Sequence, residues 1–275
     1  QNPPLSSYSE STIKTQDSYS LKGIAAKTDS LNKTLTKTLP KSPISHWKMN
    51  DNAANKTVVD SVGSNSGTAQ QNTSVLHTTG KIDGALTFNG SSDYVNCGAA
   101  TNLQLDGNSF SFSLWIKPDS LAAKALIGKY GASAARQALH IIISNTTTLR
   151  FGFYADDLDV THGLSTGEWA HIVCTYDTAT NQQKIFINGQ EKGSRTTGGD
   201  LTNTNAANLE IGRMFSRNDE CFDGVIDDVR FYNYALTQSE VASIYNQGNG
   251  TETSDFRKNL TGINQARFMI RSSRT

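Results

Sequence analysis

Phe110-Ser111-Phe112-Ser113-Leu114-Trp115-Ile116 changes face at every residue: Phe110, Phe112, Leu114 and Ile116 fall on one side, and Ser111, Ser113, Trp115 and Lys117 on the other. A period of two is the signature of a β-strand packed on one face. Working outward, Gly84-Ala85-Leu86-Thr87-Phe88 is followed by the turn Asn89-Gly90-Ser91-Ser92 and then Asp93-Tyr94-Val95. Downstream, Leu139–Ile143 and Leu149–Tyr154 flank Asn145-Thr146-Thr147 as a hairpin. Ala170–Tyr176 and Lys184–Ile187 form another, and Asn188-Gly189 starts a tight turn. Many short strands at even spacing predict an all-β sandwich.

One stretch has good helical signals. Thr237 and Glu240 make a capping box, Val241, Ile244 and Tyr245 share a face, and Gly248 is the expected stop. The class is therefore all-β with one short C-terminal helix. Residues 1–41 form a β-prone, Ser/Thr-rich extension, 42–250 the compact domain, and 251–275 a C-terminal extension with one strand. Both extensions are too short to bury a face alone.

The 275 residues are 36% hydrophobic, with 25 basic and 25 acidic side chains. That is enough for a core and excludes wholesale disorder. Zero net charge gives no general electrostatic case for nucleic acid or anionic membrane. The longest apolar run, Leu139–Ile143, is far too short to span a bilayer and is broken by His140. Gln1 opens the chain with no signal-peptide pattern, so the sequence is expected to be processed or a piece of something longer. Of three cysteines, Cys174 lies in a strand pattern and reads as core. Cys97 and Cys221 sit beside Gly-rich turns and would pair if the fold brings their Cα atoms within about 7 Å.

Several stretches together resemble a known family. They are His46-Trp47-Lys48-Met49, Gly84–Gly90 with Asp93-Tyr94-Val95, Phe110–Ile116, Gly167-Glu168-Trp169-Ala170-His171-Ile172, Ile185–Gly189, Leu209–Gly212 and Phe222–Tyr232. In that order, over about 42–249, they are similar to the laminin-G-like, concanavalin A-like jelly-roll domains. Residues 16–39 and 253–275 faintly resemble an interrupted galactose-binding-type jelly roll.

The resemblance implies a structural calcium with Gly90 as a carbonyl donor and Asp93, Asp227 and Asp228 as carboxylates, and Asp51 nearby. Asn89 stands where the family more often has Asp. The other reading is that these groups cap turns. Glycan binding is the family's common role, and Tyr130, Tyr154, Phe215 and Arg213, in or near loops, are the expected ligand contacts, with Asp156, Asp157 and Arg217 close in sequence. Trp47, Trp115 and Trp169 read as packing residues. No Glu-x-Asp-x-x-Glu run of a jelly-roll glycosidase and no catalytic triad spacing occurs, so no enzyme activity is expected. Seven Asn-x-Ser/Thr sequons, at Asn32, Asn55, Asn72, Asn89, Asn145, Asn249 and Asn259, would matter only in a eukaryotic secretory route.

The expected function is a non-catalytic, secreted or surface-displayed recognition and adhesion module for a glycan or surface polysaccharide. The alternative is a structural subunit of a filament, tube or shell. Its copies would exchange strands through the N- and C-terminal extensions, with the jelly roll facing outward.

Overall fold

The structure, a computed structural model, describes residues 40–214 and 220–250; the readings of both terminal extensions and of Phe215 lie outside the described residues. In chain order the strands begin β1 (Ser45–Trp47), β2 (Thr57–Val58), β3 (Gly67–Ala69), β4 (His77–Thr79), β5 (Gly84–Asn89), β6 (Val95–Asn96), β7 (Phe110–Pro118) and β8 (Lys124–Tyr130). They continue as β9 (Ala138–Ile143), β10 (Thr148–Gly152), β11 (Asp157–Thr161), β12 (Ala170–Asp177), β13 (Gln182–Ile187), β14 (Gln190–Thr196), β15 (Leu209–Ile211) and β16 (Asp223–Tyr232). Among the described residues two short α-helices form, α1 (Thr73–Leu76) and α2 (Gln238–Tyr245). The first sheet runs β14-β13-β12-β7-β16-β5-β4 with β1 also paired to β16, and the second runs β11-β10-β9-β8-β15-β6-β3-β2. This is a jelly-roll sandwich.

The core lies between the sheets and follows the alternation in β7. Phe112 sits opposite Cys174, and Leu114 opposite Ile172, on β12. Leu139, Ile141, Ile143, Leu149 and Phe151 of the second sheet belong to the same buried cluster. Phe110 is its aromatic centre, with ring centroids 5.9–6.2 Å from Tyr176, Phe153, Phe112, Phe151 and Phe231.

The opposite face of β7 departs from simple alternation, because Ser111, Ser113 and Trp115 are buried as well. Helix α2 and the segment before it roof that face: Val241, Ile244 and Leu236 pack with Val173, Phe186 and Tyr232. Ser111 Oγ donates to the Tyr234 carbonyl (2.8 Å) and accepts the Leu236 amide (2.9 Å). Trp115 stacks on Tyr245 at 5.7 Å. The capping box of α2 forms as read from the sequence. Its stop does not lie at Gly248: Asn246, at φ 47°, is the left-handed C-cap, and Gly248 belongs to the following 3₁₀ turn. Asn is the non-glycine residue that best tolerates this conformation.

Strand β16 carries one change of phase. From Ile226, strict alternation would point Asp228 into the core and Val229 away from it. A β-bulge between Asp227 and Arg230, with Asp228 at φ 52°, resets the count, so that Val229 and Phe231 join the core. Asp227, Asp228 and Arg230 therefore all lie on the roofed face. Cys97, Cys174 and Cys221 are buried thiols, and no disulfide joins Cys97 to Cys221.

Candidate functional site

The residues expected around a calcium ion have separate partners. Asp228 lies between His46 Nε2 (2.6 Å) and Arg230 Nη2 (2.9 Å), all buried. Burial opposes its charge, but Arg230 and His46 outweigh it and hold the carboxyl below its ordinary pKa. Burial pushes its neighbour Asp227 up to about 8, although Asp227 Oδ2 accepts the Ile82 amide at 2.8 Å. The Gly90 carbonyl accepts from the Lys124 ammonium (3.1 Å), a cation already at the atom expected to meet one. Asp93 Oδ1 accepts from the Gln71 amide (2.9 Å), and Asp51 Oδ1 from the Val59 backbone (3.2 Å). Asn89 Oδ1 accepts the backbone amides of Ser91, Ser92 and Asp93, the work of a turn cap. Among the described residues no three His, Cys, Asp or Glu side chains gather to hold a metal. A guanidinium on Asp228 and an ammonium on Gly90 do not fit a calcium ion shared by this set.

A different place collects chemistry. Because Leu139, Ile141 and Ile143 face the core, His140 and Ile142 of β9 face outward from the second sheet, over which no helix of the described residues is packed. They line a groove of about 280 Å³ together with Arg150 of β10, Asp157 of β11, Tyr154 and Met214. Ala125, Ile142 and Met214 form a small apolar cluster of their own on this face. Polar groups edge it: Arg150 Nε and Nη2 reach Asp159 at 2.7 and 2.8 Å, and Arg150 Nη1 lies 3.5 Å from Asp157.

The register explains how His140 and Asp157 meet. Gly152 of β10 sits between them, opposite His140 on one side and Asp157 on the other. A Cβ at Gly152 would lie 2.2 Å from His140 Nε2 and 2.3 Å from Asp157 Oδ1. With no side chain there, His140 Nε2 approaches Asp157 Oδ1 to 3.4 Å across the intervening strand. Burial lowers the His140 pKa to about 4 against the opposing pull of Asp157, so its imidazole is neutral at neutral pH.

Tyr154 is placed at a cost. Tyr154 and Ala155, at φ 59° and 56°, form the two-residue turn between β10 and β11, closed by Phe153 N–H to the Asp156 carbonyl (3.2 Å). Two consecutive left-handed residues favour Asn-Gly, and each ordinary side chain there is strained by roughly 1–2 kcal/mol. Such strain marks positions where a particular side chain matters.

Of the four ligand residues expected from the sequence, Tyr154 lines the groove. Arg213 is buried and does not line it, bonded to Glu210 (3.1 Å) with its guanidinium 3.3 Å over the Tyr94 ring, and Met214 after it reaches the groove. Tyr130 ends β8, does not line the groove, and bonds Ser133 through its hydroxyl. Sequence reading missed His140, Ile142, Arg150 and Met214. The available signal was His140, one ionisable residue inside an otherwise apolar strand. An apolar floor with charged, hydrogen-bonding edges suits a small ligand that has apolar faces and polar rims.

Residues 89–242 match the family described as the concanavalin A-like lectin/glucanases superfamily. Among solved structures, domain 4 of AbnA, an extracellular arabinanase from Geobacillus stearothermophilus, in complex with arabinotriose, is 25% identical. The match covers 74% of this chain and 97% of that one at a TM-score of 0.56. The binding domain of Paraclostridial Mosquitocidal Protein 1 matches at 16% identity, covering 78% of this chain and 53% of that chain, TM-score 0.54. A mutant of Trypanosoma rangeli sialidase displaying trans-sialidase activity is 16% identical; 84% of this chain covers 39% of the sialidase, TM-score 0.60. The last two share the fold. No curated protein matches the chain.

Proposed function

The chain belongs to the concanavalin A-like lectin/glucanases superfamily, and on that premise we propose that it is a non-catalytic carbohydrate-binding module, secreted or displayed at a surface, whose sugar lies in the groove of the second sheet. The observation that carries this reading is the combination at one groove of Tyr154, an apolar floor and the His140–Asp157–Arg150 edge. A pyranose or furanose offers C–H faces for the floor and hydroxyls for the edge. The module with arabinotriose bound lends support at 25% identity.

The non-catalytic part has its own support. Glycosidases keep one carboxyl protonated near neutrality as the acid. Here the carboxyl with a pKa raised to about 8 is Asp227, fully buried under Ile82 on the first sheet. It cannot touch a sugar in the groove.

The test is a glycan array, followed by calorimetric titration of the strongest hit and of arabinotriose. Tyr154→Ala should weaken binding about tenfold, the effect of one lost stacking or hydrogen-bonding contact of ~1.4 kcal/mol. Its melting temperature should stay close to that of the unaltered protein, since Ala keeps the Cβ that the left-handed turn strains. Unchanged affinity in Tyr154→Ala, or an array with no hit, overturns the proposal.

A further inference from the structure

Resting on that carbohydrate reading, we infer that Asp156 and Arg195 are positioning residues of the groove: without touching the sugar, they hold the turn that carries Tyr154 in its binding shape. Tyr154 and Ala155, at φ 59° and 56°, sit in the left-handed region that ordinary side chains avoid. Such a turn persists only where its surroundings over-determine it. Its own closing bond, from Phe153 N–H to the Asp156 carbonyl at 3.2 Å, lies at the long end of the ordinary range.

The hold comes from other segments. Arg136, in the loop between β8 and β9, donates its backbone N–H to the Tyr154 carbonyl (3.0 Å) and brings its guanidinium to 3.6 Å from Asp156. Asp156 is 4% exposed, and Gly198, just past β14, donates its N–H to Oδ2 at 2.7 Å. Arg195 of β14 spans two residues: Nη2 meets Asp156 Oδ1 at 2.6 Å, and Nη1 donates to the Asp157 carbonyl. It can reach because β14, an edge strand of the first sheet, lies close against β11 of the second. A Cβ at Gly193 would come 2.7 Å from Val160 Cγ1, and Arg195 follows two residues on, on the same face of β14. Asp156, Arg136 and Arg195 do not line the groove. Asp157 is fixed by its pairing with Gly152, and the Ala155 side chain ends at Cβ, so Tyr154 is the groove side chain left to this hold.

The test is calorimetric titration of the strongest array sugar with Arg195→Ala and Tyr154→Ala, singly and together. With the turn in its binding shape in about a fifth of Arg195→Ala molecules, affinity falls about fivefold. In the Tyr154→Ala background the same change should cost less than about twofold, since no Tyr154 ring is left to position. Ala155→Gly, which suits the second left-handed position, should restore most of the affinity lost in Arg195→Ala; a purely structural role predicts no such rescue. Lys192→Ala, exposed on the same strand, should change nothing. Should Arg195→Ala melt early, Arg195→Gln, which keeps a donor without the fork, takes its place. Hydrogen exchange needs no sugar: the Arg136 and Phe153 amides should exchange at least about tenfold faster in Arg195→Ala, with amides of the central strand β12 unmoved. Unchanged affinity or exchange in Arg195→Ala, or equal losses with and without Tyr154, overturns the positioning role while leaving the carbohydrate reading standing. An unaltered protein silent on the array overturns the carbohydrate reading, and exchange alone then decides whether Arg195 holds the turn.

Discussion

Asp227→Asn should stabilise this protein at neutral pH, which is unusual for a change to a buried, hydrogen-bonded residue. Asp227 is fully buried, and burial raises its pKa from the ordinary 3.8 to about 8. In that interval the folded chain keeps a proton that the unfolded chain has lost. Stability must then fall as pH rises, by about 1.4 kcal/mol per pH unit. The opposite sign applies to His140 and His171, whose pKa values burial lowers from 6.5 to about 4 and about 3; their contribution is complete above 6.5 and lost on acidification. Between pH 6.5 and 8 the fall assigned to Asp227 therefore dominates.

Asn keeps the shape and the acceptor for the Ile82 amide but needs no proton. The cost it removes at pH 7 is about 4 kcal/mol, from a little over three pH units above the ordinary carboxylate value. Part of this is offset because Oδ1 has no partner in the structure, and an amide N–H₂ placed there costs about 1–2 kcal/mol. A net gain of about 2–3 kcal/mol at pH 7 is expected, shrinking to zero at about pH 5 and becoming a loss of about 1–2 kcal/mol near pH 4. The assay is urea unfolding of both proteins across this pH range. A wild type whose stability is flat from pH 6.5 to 8, or a variant weaker at pH 7, refutes the reasoning. A loss seen only with calcium and abolished by chelator would restore Asp227 as a metal ligand.

Four further outcomes follow from particular contacts. Gly152→Ala places a methyl on His140 and Asp157, so it should cost about 1–3 kcal/mol of stability and abolish sugar binding, read by melting and titration. Asp228→Ala leaves Arg230 buried without its carboxylate and should destabilise by about 3–5 kcal/mol, equally with and without chelator. Thr237→Ala removes the capping box of α2 and should cost about 1 kcal/mol in denaturant unfolding. Gly189→Ala forces a side chain into a left-handed turn at φ 77°, 2.8 Å from the Tyr245 ring, and should lower stability by about 1–2 kcal/mol.

The sandwich was legible because alternation in β7, β9 and β12 is set by burial on one face, and Asn188-Gly189, at φ 52° and 77°, marks its turn by local sterics. What the alternation hid was the roof. Ser111 and Ser113 fall on the face of β7 opposite the core, yet they are buried with Trp115 because α2, more than a hundred residues later, returns over them. The resemblance offered Asp227 and Asp228 as metal ligands, and nothing local announces the bulge that turns both onto that roofed face. The groove was harder still. His140, Arg150 and Asp157 become neighbours only through strand register, and Gly152 contributes by having no side chain.

Chemical-shift mapping with the best array ligand tests the placement of the site most directly. Shifts should saturate together at His140, Ile142, Arg150, Tyr154 and Met214, with the Trp115–Tyr245 side unmoved. Shifts centred on the roofed sheet, or on the exposed valines Val59 and Val62 at the far edge, would place the ligand elsewhere and contradict it.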